Sequence, residues 1–266
     1  MEFKTSSIKL ITFSLLFAVS TAAHAFSTFS TAWDPGANTA RFGGNPASGG
    51  ATWSIIGVGV ADASGTTDGD HATNVTTSLA SLNPGLNIAG IIDDAFDLWA
   101  SVSGFTNLGQ VADSGLGFGA TETGAGSFGD IRIGAIAFDG PGNILAHGYQ
   151  PGTEAQFLNG SIAGDIHIDN SENWVSGFDL AYVLLHEIGH ALGLGHSNVA
   201  GSVLLPTYPG GGGVPAFALG ADDIAGIQSL YGPAASIVPL PAAPLLFLSA
   251  MGLIGFARRK RKTVTS

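Results

Sequence analysis

The segment HEIGHALGLGH, which begins at His186, constrains the local fold of this chain more than any other feature. His186 and His190 are four residues apart, so on a helix both imidazoles lie on one face, one turn apart. Gly193 is predicted to end that helix, because glycine readily adopts the left-handed conformation found at helix C-termini. Gly195 keeps the next turn tight, and His196 is expected to return to the same point. The segment therefore predicts a helix, a sharp turn and three converging imidazoles.

Three imidazole ligands are typical of a catalytic zinc site, because they leave the fourth coordination position open for water. Glu187 follows the first ligand directly, and its carboxylate is predicted to point towards that open position. Such a carboxylate can take a proton from water as the water attacks a carbonyl carbon, and can later give it to a leaving amine. The alternative, a run of ordinary helix and core histidines, would make every one of these spacings a coincidence. We therefore predict a zinc-dependent hydrolase that cleaves peptide bonds.

The absence of cysteine and the distribution of charge exclude several other classes of protein. With no cysteine among 266 residues, thiolate metal sites, disulfide scaffolds and cysteine nucleophiles are ruled out. Most of the basic residues lie near the two ends, and the body between them keeps only Arg41 and Arg132 against nearly all of the 20 acidic residues. A body this acidic should repel nucleic acid and anionic membranes. It suits the binding of hard cations, although acidic surfaces also serve solubility.

The first 25 residues have the organisation of a secretory signal peptide. Lys4 and Lys9 form a basic start, the apolar stretch LITFSLLFAV follows, and Ala23-His24-Ala25 matches an A-x-A cleavage site. The alternative is an N-terminal membrane anchor, but the apolar stretch is too short to span a bilayer comfortably. We therefore expect export of the protein.

The C-terminal segment carries a second predicted targeting signal. VPLPAA begins at Val238, an apolar run continues to Ala257, and the basic cluster RRKRK closes the segment. The plain interpretation is a tail anchor, since Ile237 to Ala257 could just span a membrane with the basic cluster in the cytoplasm. The pattern also resembles the PEP-CTERM sorting signals of bacteria in their VPLPA variant. That resemblance implies processing by an exosortase in a Gram-negative cell, transient inner-membrane association, and a final place at the cell surface or in the extracellular matrix.

Apolar periodicity predicts both strands and helices, which indicates a mixed α/β or α+β domain. Strands are predicted at 52–60, 131–138 and within 160–169, helices at about 86–102, 178–192 and 221–230, and loops at 61–75 and 113–129. The predicted parts of the chain are a signal peptide at 1–25, a loose Ser/Thr-rich leader at 26–38, the domain at 39–233, and a linker with the sorting signal at 234–266.

The histidine segment has the form H-E-x-x-H-x-x-G-x-x-H, which is the metzincin signature. Beyond it, the chain resembles the matrixin branch, the family of matrix metalloproteinases and their bacterial relatives, over most of residues 39–233. The segments that carry this resemblance are FDGPG from Phe138, LAH from Leu145, GDIHID from Gly164, ENW from Glu172 and DDIAGIQSLYG from Asp222. The resemblance implies a twisted, mostly parallel five-stranded sheet with one antiparallel edge strand, about three helices, and a cleft above the zinc helix.

The resemblance also implies a calcium site and a substrate pocket. The matching calcium ligands are the side chains of Asp139, Asp169 and Glu172 and the backbone oxygens near Gly140, Gly142 and Ile144. Ligation by oxygen alone suits Ca²⁺, although carboxylates at such positions can also simply cap turns. The matching substrate-binding residues are Ala146, Pro206 and Tyr208, with Pro206-Thr207-Tyr208 in the wall of the pocket for the side chain after the scissile bond. A plain proline turn is the alternative for this last segment.

The chain departs from the family pattern in three respects. Leu204 stands where metzincins carry a methionine beneath the zinc, and its similar volume should preserve that floor. His147 and His167 match two of the four ligands of the family's second zinc, but the segment supplying the other two is absent. Two histidines hold zinc poorly, so His147 and His167 are expected to be structural, with ligands of a second zinc as the alternative. No cysteine is present to block the zinc, so any latency must come from elsewhere.

Two functional hypotheses from different classes remain at this point. The first is a secreted zinc endopeptidase that acts on extracellular or matrix proteins. The second is a surface or matrix structural protein that keeps a matrixin fold but has little or no activity. The presence of Glu187 and all three histidines favours the first, whereas the missing methionine and missing second-zinc ligands favour the second.

Overall fold

The computed structural model describes residues 26–29, 32–33, 49–61, 75–119, 129–152, 160–209 and 216–235. In this part of the chain the elements are β1 (Gly50–Ile55), α1 (Ile88–Ser101), β2 (Thr106–Gln110), β3 (Ile131–Ile136), β4 (Ala146–Gly148), β5 (Ile166–Asp169), α2 (Leu180–Ala191) and α3 (Ala221–Tyr231). One short 3-10 turn, Leu79–Ser81, precedes α1. The predicted mixed α/β class is confirmed.

The five strands form one sheet in the order β2-β1-β3-β5-β4. The pairs β1–β2, β1–β3 and β3–β5 are parallel, while β4 runs antiparallel to β5. The expected sheet with one antiparallel edge strand is therefore confirmed. Because β4 lies at an edge, one side of its backbone faces away from the sheet.

The central strand β3 is buried on both faces, as parallel strands between two layers usually are. Ile131, Ile133 and Ala135 belong to the main core between the sheet and the helices. The alternate residues point to the opposite face, where Ile136 joins a smaller apolar cluster that includes Phe118.

A buried ion pair fixes the segment that covers this second face. The guanidinium of Arg132 donates to both carboxylate oxygens of Asp113 at 3.0 Å, and also to the carbonyl oxygens of Leu116 (2.7 Å) and Gly117 (3.3 Å). Asp113 also accepts from the hydroxyl of Ser54 at 2.9 Å. A buried charge that is this fully hydrogen-bonded can be tolerated and gives the loop one conformation.

Helix α1 packs against α2, the helix that carries His186 and His190. Its Ile92, Phe96 and Trp99 are fully buried at the helical spacing that the sequence predicts. The indole Nε1 of Trp99 donates to the carbonyl oxygen of Leu185 on α2 at 3.1 Å. This hydrogen bond and the apolar contacts of α1 therefore hold α2 in a fixed position against the core.

Two strands were not predicted, and each has a physical reason. Strand β2 (TNLGQ) lies at the open edge, and its sequence has no alternation of apolar and polar residues. Its Gly109 also has a positive φ of 84°, which is unusual in a strand. Strand β4 has only three residues, fewer than any periodicity can reveal. The strand predicted at 52–60 ends at Ile55, because the chain turns at Val58 and Gly59.

The predicted leader at 26–38 is not wholly loose. Trp33 is buried, and its indole Nε1 donates to the carbonyl oxygen of Ala191 at the end of α2, at 2.8 Å. Both predicted targeting signals, residues 1–25 and the segment from Ile237 to Ala257, lie outside the described residues. Among the helices that the structure does describe, none is both long enough and apolar enough to cross a membrane.

Candidate metal centre

Helix α2, which carries the first two histidines of the motif, has defined ends, and the sequence predicts the second of them at Gly193. At its start, the side chain of Asp179 accepts a hydrogen bond from the backbone N–H of Tyr182 at 3.0 Å. At its end, Gly193 has a φ of 104°, which a residue with a side chain rarely adopts, and Leu194 N donates back to Gly189 O at 3.0 Å. The chain therefore reverses within three residues of the last helical turn.

The reversal brings His186, His190 and His196 together. One ring nitrogen from each lies within 4.8 Å of the others, and no other three His, Cys or carboxylate groups among the described residues meet in this way. The Nε2 atoms of His186 and His190 are 3.0 Å apart. Tetrahedral zinc with nitrogen ligands needs a separation of about 3.3 Å, so the spacing fits that ion.

Backbone carbonyls set the tautomers of two of these rings. The Nδ1 atom of His186 lies 2.7 Å from Val203 O, and that of His190 lies 2.7 Å from Leu194 O. A carbonyl oxygen can only accept, so each Nδ1 carries the hydrogen and each Nε2 presents its lone pair to the other rings. This is the form in which an imidazole binds a metal.

Burial keeps the same rings uncharged. Burial, helped by the neighbouring imidazoles, lowers the pKa of His186 to about 3 and that of His190 to about 4, although a hydrogen bond to a backbone carbonyl opposes the shift in each ring. Burial also lowers the pKa of His196. Neutral rings need not release protons before metal binding, so the donor set is ready for zinc at neutral pH.

The carboxylate of Glu187 lies beside this donor set. Its Oε1 atom is 4.0 Å from His186 Nε2, and the side chain is almost completely buried. Burial raises the pKa of Glu187 to about 8, while a backbone hydrogen bond from Gly148 acts in the opposite direction. A β-carbon at Gly148 would lie 2.9 Å from the Glu187 carboxylate, so only glycine lets β4 approach this closely.

The floor beneath the histidines is apolar and tightly packed. Leu204 is buried, and its Cδ2 atom would lie 2.8 Å from a β-carbon placed on Gly189 of α2. Leu204, which the sequence predicts to stand at the family's methionine position, therefore packs against α2. The backbone around it is held by Ser197 N, which donates to Leu204 O at 2.9 Å.

Two buried carboxylates of α3 hold the same turn. Asp223 accepts from Val203 N (2.8 Å), from Gly220 N (2.7 Å) and from the hydroxyl of Ser202. Asp222 accepts from the hydroxyl of Ser197 at 2.6 Å. Because Val203 O also orients the ring of His186, α3 is linked to a zinc ligand through two hydrogen bonds. The sequence pointed to this aspartate pair only as part of a family segment.

A cleft of about 720 Å³ runs over the histidines and along β4. Gly142, Ile144, Ala146, Pro206 and Tyr208, which the sequence assigns to calcium or substrate binding, all line it together with Glu187 and the three histidines. The hydroxyl oxygen of Tyr208 accepts from Asp179 N at 2.9 Å, which fixes the ring at one end of the cleft. The predicted substrate residues therefore share one surface with the metal centre.

Comparison with known proteins decides the family. The family model described as matrixin matches residues 71–232, more than half of the chain. The chain belongs to the matrixin family.

Several animal matrixins are similar to this chain over part of their length. Interstitial collagenase of Bos taurus is 39% identical over 171 residues, which are 60% of this chain and 32% of the relative. Matrilysin of Homo sapiens is 44% identical over 115 residues, 39% of this chain and 40% of the relative. Neutrophil collagenase of Homo sapiens is 35% identical over 195 residues, 67% of this chain and 38% of the relative. The alignments thus span about a third to two fifths of these relatives.

Matrixins use a catalytic zinc and structural calcium, and the three-histidine group of this matrixin is the donor set for the zinc. The sequence-predicted calcium residues lie on two neighbouring loops. Asp169 is fully buried, and its Oδ1 atom accepts from Phe138 N (3.2 Å) and Ser171 N (2.8 Å), while Oδ2 has no hydrogen-bond partner. Glu172 accepts from Gly142 N at 2.6 Å, whereas Asp139 is exposed. A buried carboxylate oxygen without a donor fits a cation.

The two histidines that match part of a second zinc site lie side by side. His147 and His167 are opposite each other in the β4–β5 pair. The ring of Phe118 lies 3.9 Å from that of His167, and the ring of Phe138 stacks on His147 at 5.0 Å. In the described part of this matrixin, aromatic rings and no third ligand surround the pair.

The sequence did not predict one aromatic side chain at the cleft. Phe29, within the predicted leader, lines the cleft, and its ring centroid is 6.2 Å from that of His190. Because Phe29 is remote in sequence from the motif and sits in a polar stretch, only the tertiary fold reveals its position.

Proposed function

We propose that this chain is a zinc-dependent endopeptidase in which Glu187 is the general base. The observation that carries the proposal is the meeting of three imidazole nitrogens and one buried carboxylate in a cleft of about 720 Å³. Zinc bound by His186, His190 and His196 would polarise a substrate carbonyl and make a coordinated water more acidic.

Glu187 carries the proton transfers in this proposal. Its carboxylate accepts a proton from the attacking water and then delivers that proton to the amine that leaves as the peptide C–N bond breaks. Burial alone favours the protonated acid, as the raised pKa indicates. A divalent cation held by the three histidines would favour the carboxylate, so a loaded centre would keep Glu187 ready to accept a proton.

Strand β4 is proposed to bind the substrate backbone. Within the part of the chain that the structure describes, it is an edge strand that pairs only with β5, so an extended peptide can add to its free side through main-chain hydrogen bonds. Ala146 lies on this strand, and Pro206 and Tyr208 face it across the cleft, where they would receive the side chain after the scissile bond. The proposed calcium ligands Asp139, Asp169 and Glu172, with nearby backbone oxygens, would brace the loop that leads into β4.

A library experiment tests the activity. The purified chain is incubated with a peptide library, with and without a zinc chelator, and new peptide ends are identified by mass spectrometry. We expect cleavage that the chelator abolishes and added zinc restores. A zinc-loaded, folded protein that produces no new ends would contradict the proposal and leave the alternative, a matrixin fold used as a structural protein.

We further propose that the peptidase acts outside the cell, on proteins of the surface or extracellular matrix. The support is sequence organisation: a signal peptide at residues 1–25 and, from Val238, a Pro-bounded segment, an apolar run and a basic cluster. An exosortase in a Gram-negative cell would remove the tail after export across the inner membrane. The intact mass of the surface form tests this: a mature chain should end near Val238 to Ala242. A chain that still carries Arg258 to Lys262 would indicate a plain tail anchor.

A further inference from the structure

Residues Phe26–Phe29, here called the N-terminal strap, lie along the turn that carries the third histidine. Phe29 N donates to Gly193 O at 3.0 Å, and Gly195 N donates to Ser27 O at 2.9 Å, in an antiparallel arrangement around Leu194. The hydroxyl of Ser27 donates to the carbonyl oxygen of His196 at 2.9 Å. The strap is thus held to the metal centre by main-chain and side-chain hydrogen bonds.

This attachment places the ring of Phe29 at the edge of the cleft. Phe29 is 43% exposed, so part of its ring is open to the solvent of the cleft. It lines the main cleft together with Gly148, the last residue of β4, and Tyr149, the residue after it. It also lines a second cavity of about 360 Å³, whose other walls include Gln150, Ile162 and Ala163. Phe29, Gly148 and Tyr149 therefore form the wall that the two spaces share, and Phe29 is the large apolar side chain in it.

The position of Phe29 along the cleft indicates which substrate side chains it would contact. Pro206 and Tyr208 line the main cleft, and the proposed function gives them the side chain after the scissile bond. The second cavity includes neither of them, and it continues the main cleft past the end of β4. A peptide that crosses the zinc centre would therefore bring the side chains before the scissile bond to Phe29.

We propose that Phe29 determines specificity, because its ring forms an apolar wall that selects large apolar or aromatic side chains before the scissile bond. This inference rests on the proposed peptidase function. Contact with such a side chain would remove the exposed ring from water, a gain that a small or charged side chain does not provide. Because the backbone of the strap is fixed to residues 193–196, the ring is held in place before a substrate arrives.

The test compares Phe29→Ala, Phe29→Leu and the unchanged chain on matched peptides. The peptides differ only in carrying Phe, Leu, Ser or Asp at one of three positions before a fixed scissile bond. Phe217→Ala is the matched control, since Phe217 is also partly exposed, at 39%, but lines neither cavity. Zinc content and melting temperature are measured for every variant. Binding of the same peptides is measured by calorimetry on chains that also carry Glu187→Ala, so the answer does not require turnover.

We expect Phe29→Ala to lower kcat/KM by about tenfold for the Phe and Leu peptides while the Ser and Asp peptides change little. Phe29→Leu should retain most of the preference, and Phe217→Ala should match the unchanged chain. An equal loss for all peptides together with loss of zinc would make the strap purely structural and overturn the proposal. An equal gain for all peptides would make Phe29 an obstruction and overturn it as well. If the unchanged chain cleaves nothing, the peptidase proposal fails separately, and the calorimetric preference for Phe over Ser peptides still decides the role of Phe29.

Discussion

At the scale of single residues, the metal centre depends on groups that are held by neighbours rather than by their own flexibility. The Nδ1 atoms of His186 and His190 are each bound to a backbone carbonyl, so both rings face the metal position before any ion arrives. Glu187 is restrained between the zinc helix and the close approach of Gly148. Such preorganisation lowers the entropy lost on metal and substrate binding.

Glu187→Ala should abolish peptide cleavage while zinc remains bound. The carboxylate is assigned as a base, and the three imidazoles that bind the metal are untouched by this substitution. Removing a general base costs about 10²–10⁴-fold in rate. The measurements are kcat on a cleaved peptide and zinc content by atomic emission. Loss of zinc together with activity would instead identify Glu187 as a ligand.

Leu204→Ala and Leu204→Met separate the roles of volume and of sulfur beneath the zinc. The alanine variant leaves a cavity under α2 and should cost about 2–5 kcal/mol of stability. The methionine variant keeps the volume and should change the stability by less than about 1.5 kcal/mol. Denaturant unfolding of the zinc-loaded protein measures both. Equal destabilisation by the two variants would show that the floor tolerates no other side chain shape.

At the scale of secondary-structure elements, the centre is assembled where α2, β4 and the first turn of α3 converge. Helix α3 contributes no ligand, yet Asp223 fixes Val203 and Ser202 in the turn that orients His186. Helix α1 supports α2 through Trp99. The geometry of the three histidines is therefore a property of several packed elements.

Asp223→Asn tests the link between α3 and the zinc site. An amide offers one acceptor oxygen where the carboxylate offers two, so at least one of three donors loses its partner at a cost of about 1–3 kcal/mol. We expect a lower melting temperature and faster loss of zinc to a chelator. Asp94→Asn, which changes an exposed acid on α1, is the control and should alter neither quantity. Normal zinc retention in a destabilised Asp223→Asn variant would separate the turn from metal binding.

The sequence predicted those elements whose apolar pattern is strong and local. The stripe of α1, the buried run of β3 and the ends of α2 follow from periodicity and from Gly193. Strands β2 and β4 were missed because pairing with a neighbour, rather than side-chain pattern, makes them strands. The positions of Phe29 and Asp223 were also hidden, since each depends on contact with residues far away in the sequence.

At the scale of the whole molecule, the acidic composition of the chain and its stability are connected at the loop before β4. The buried oxygen of Asp169 and the carboxylate of Glu172 lie beside these loops. A cation there would join the end of β5 to the segment before β4. Metal binding and stability of the entire domain are then linked, because a ligand that binds only the folded state favours folding.

Calcium should therefore raise the melting temperature of the whole domain. At a hundredfold excess over Kd, the stabilisation is about 2.7 kcal/mol. Asp169→Asn should remove most of the response, whereas Asp94→Asn should leave it intact. The measurement is differential scanning calorimetry in calcium and in a calcium-selective chelator. Identical melting curves in the two conditions would contradict a calcium site.

The hydrogen bonds that join the N-terminal strap and Trp33 to the rest of the fold also affect when the metal centre is completed during folding. Ser27 meets His196 across 169 residues of sequence, and Trp33 N donates to the hydroxyl oxygen of Tyr231 across 198. That hydroxyl in turn donates to Leu192 O beside the zinc helix. Contacts that close such long loops form late in folding, since their entropic cost precedes their reward. The turn that carries the third histidine is therefore complete only when segments near both ends of the described chain have joined the rest of the fold.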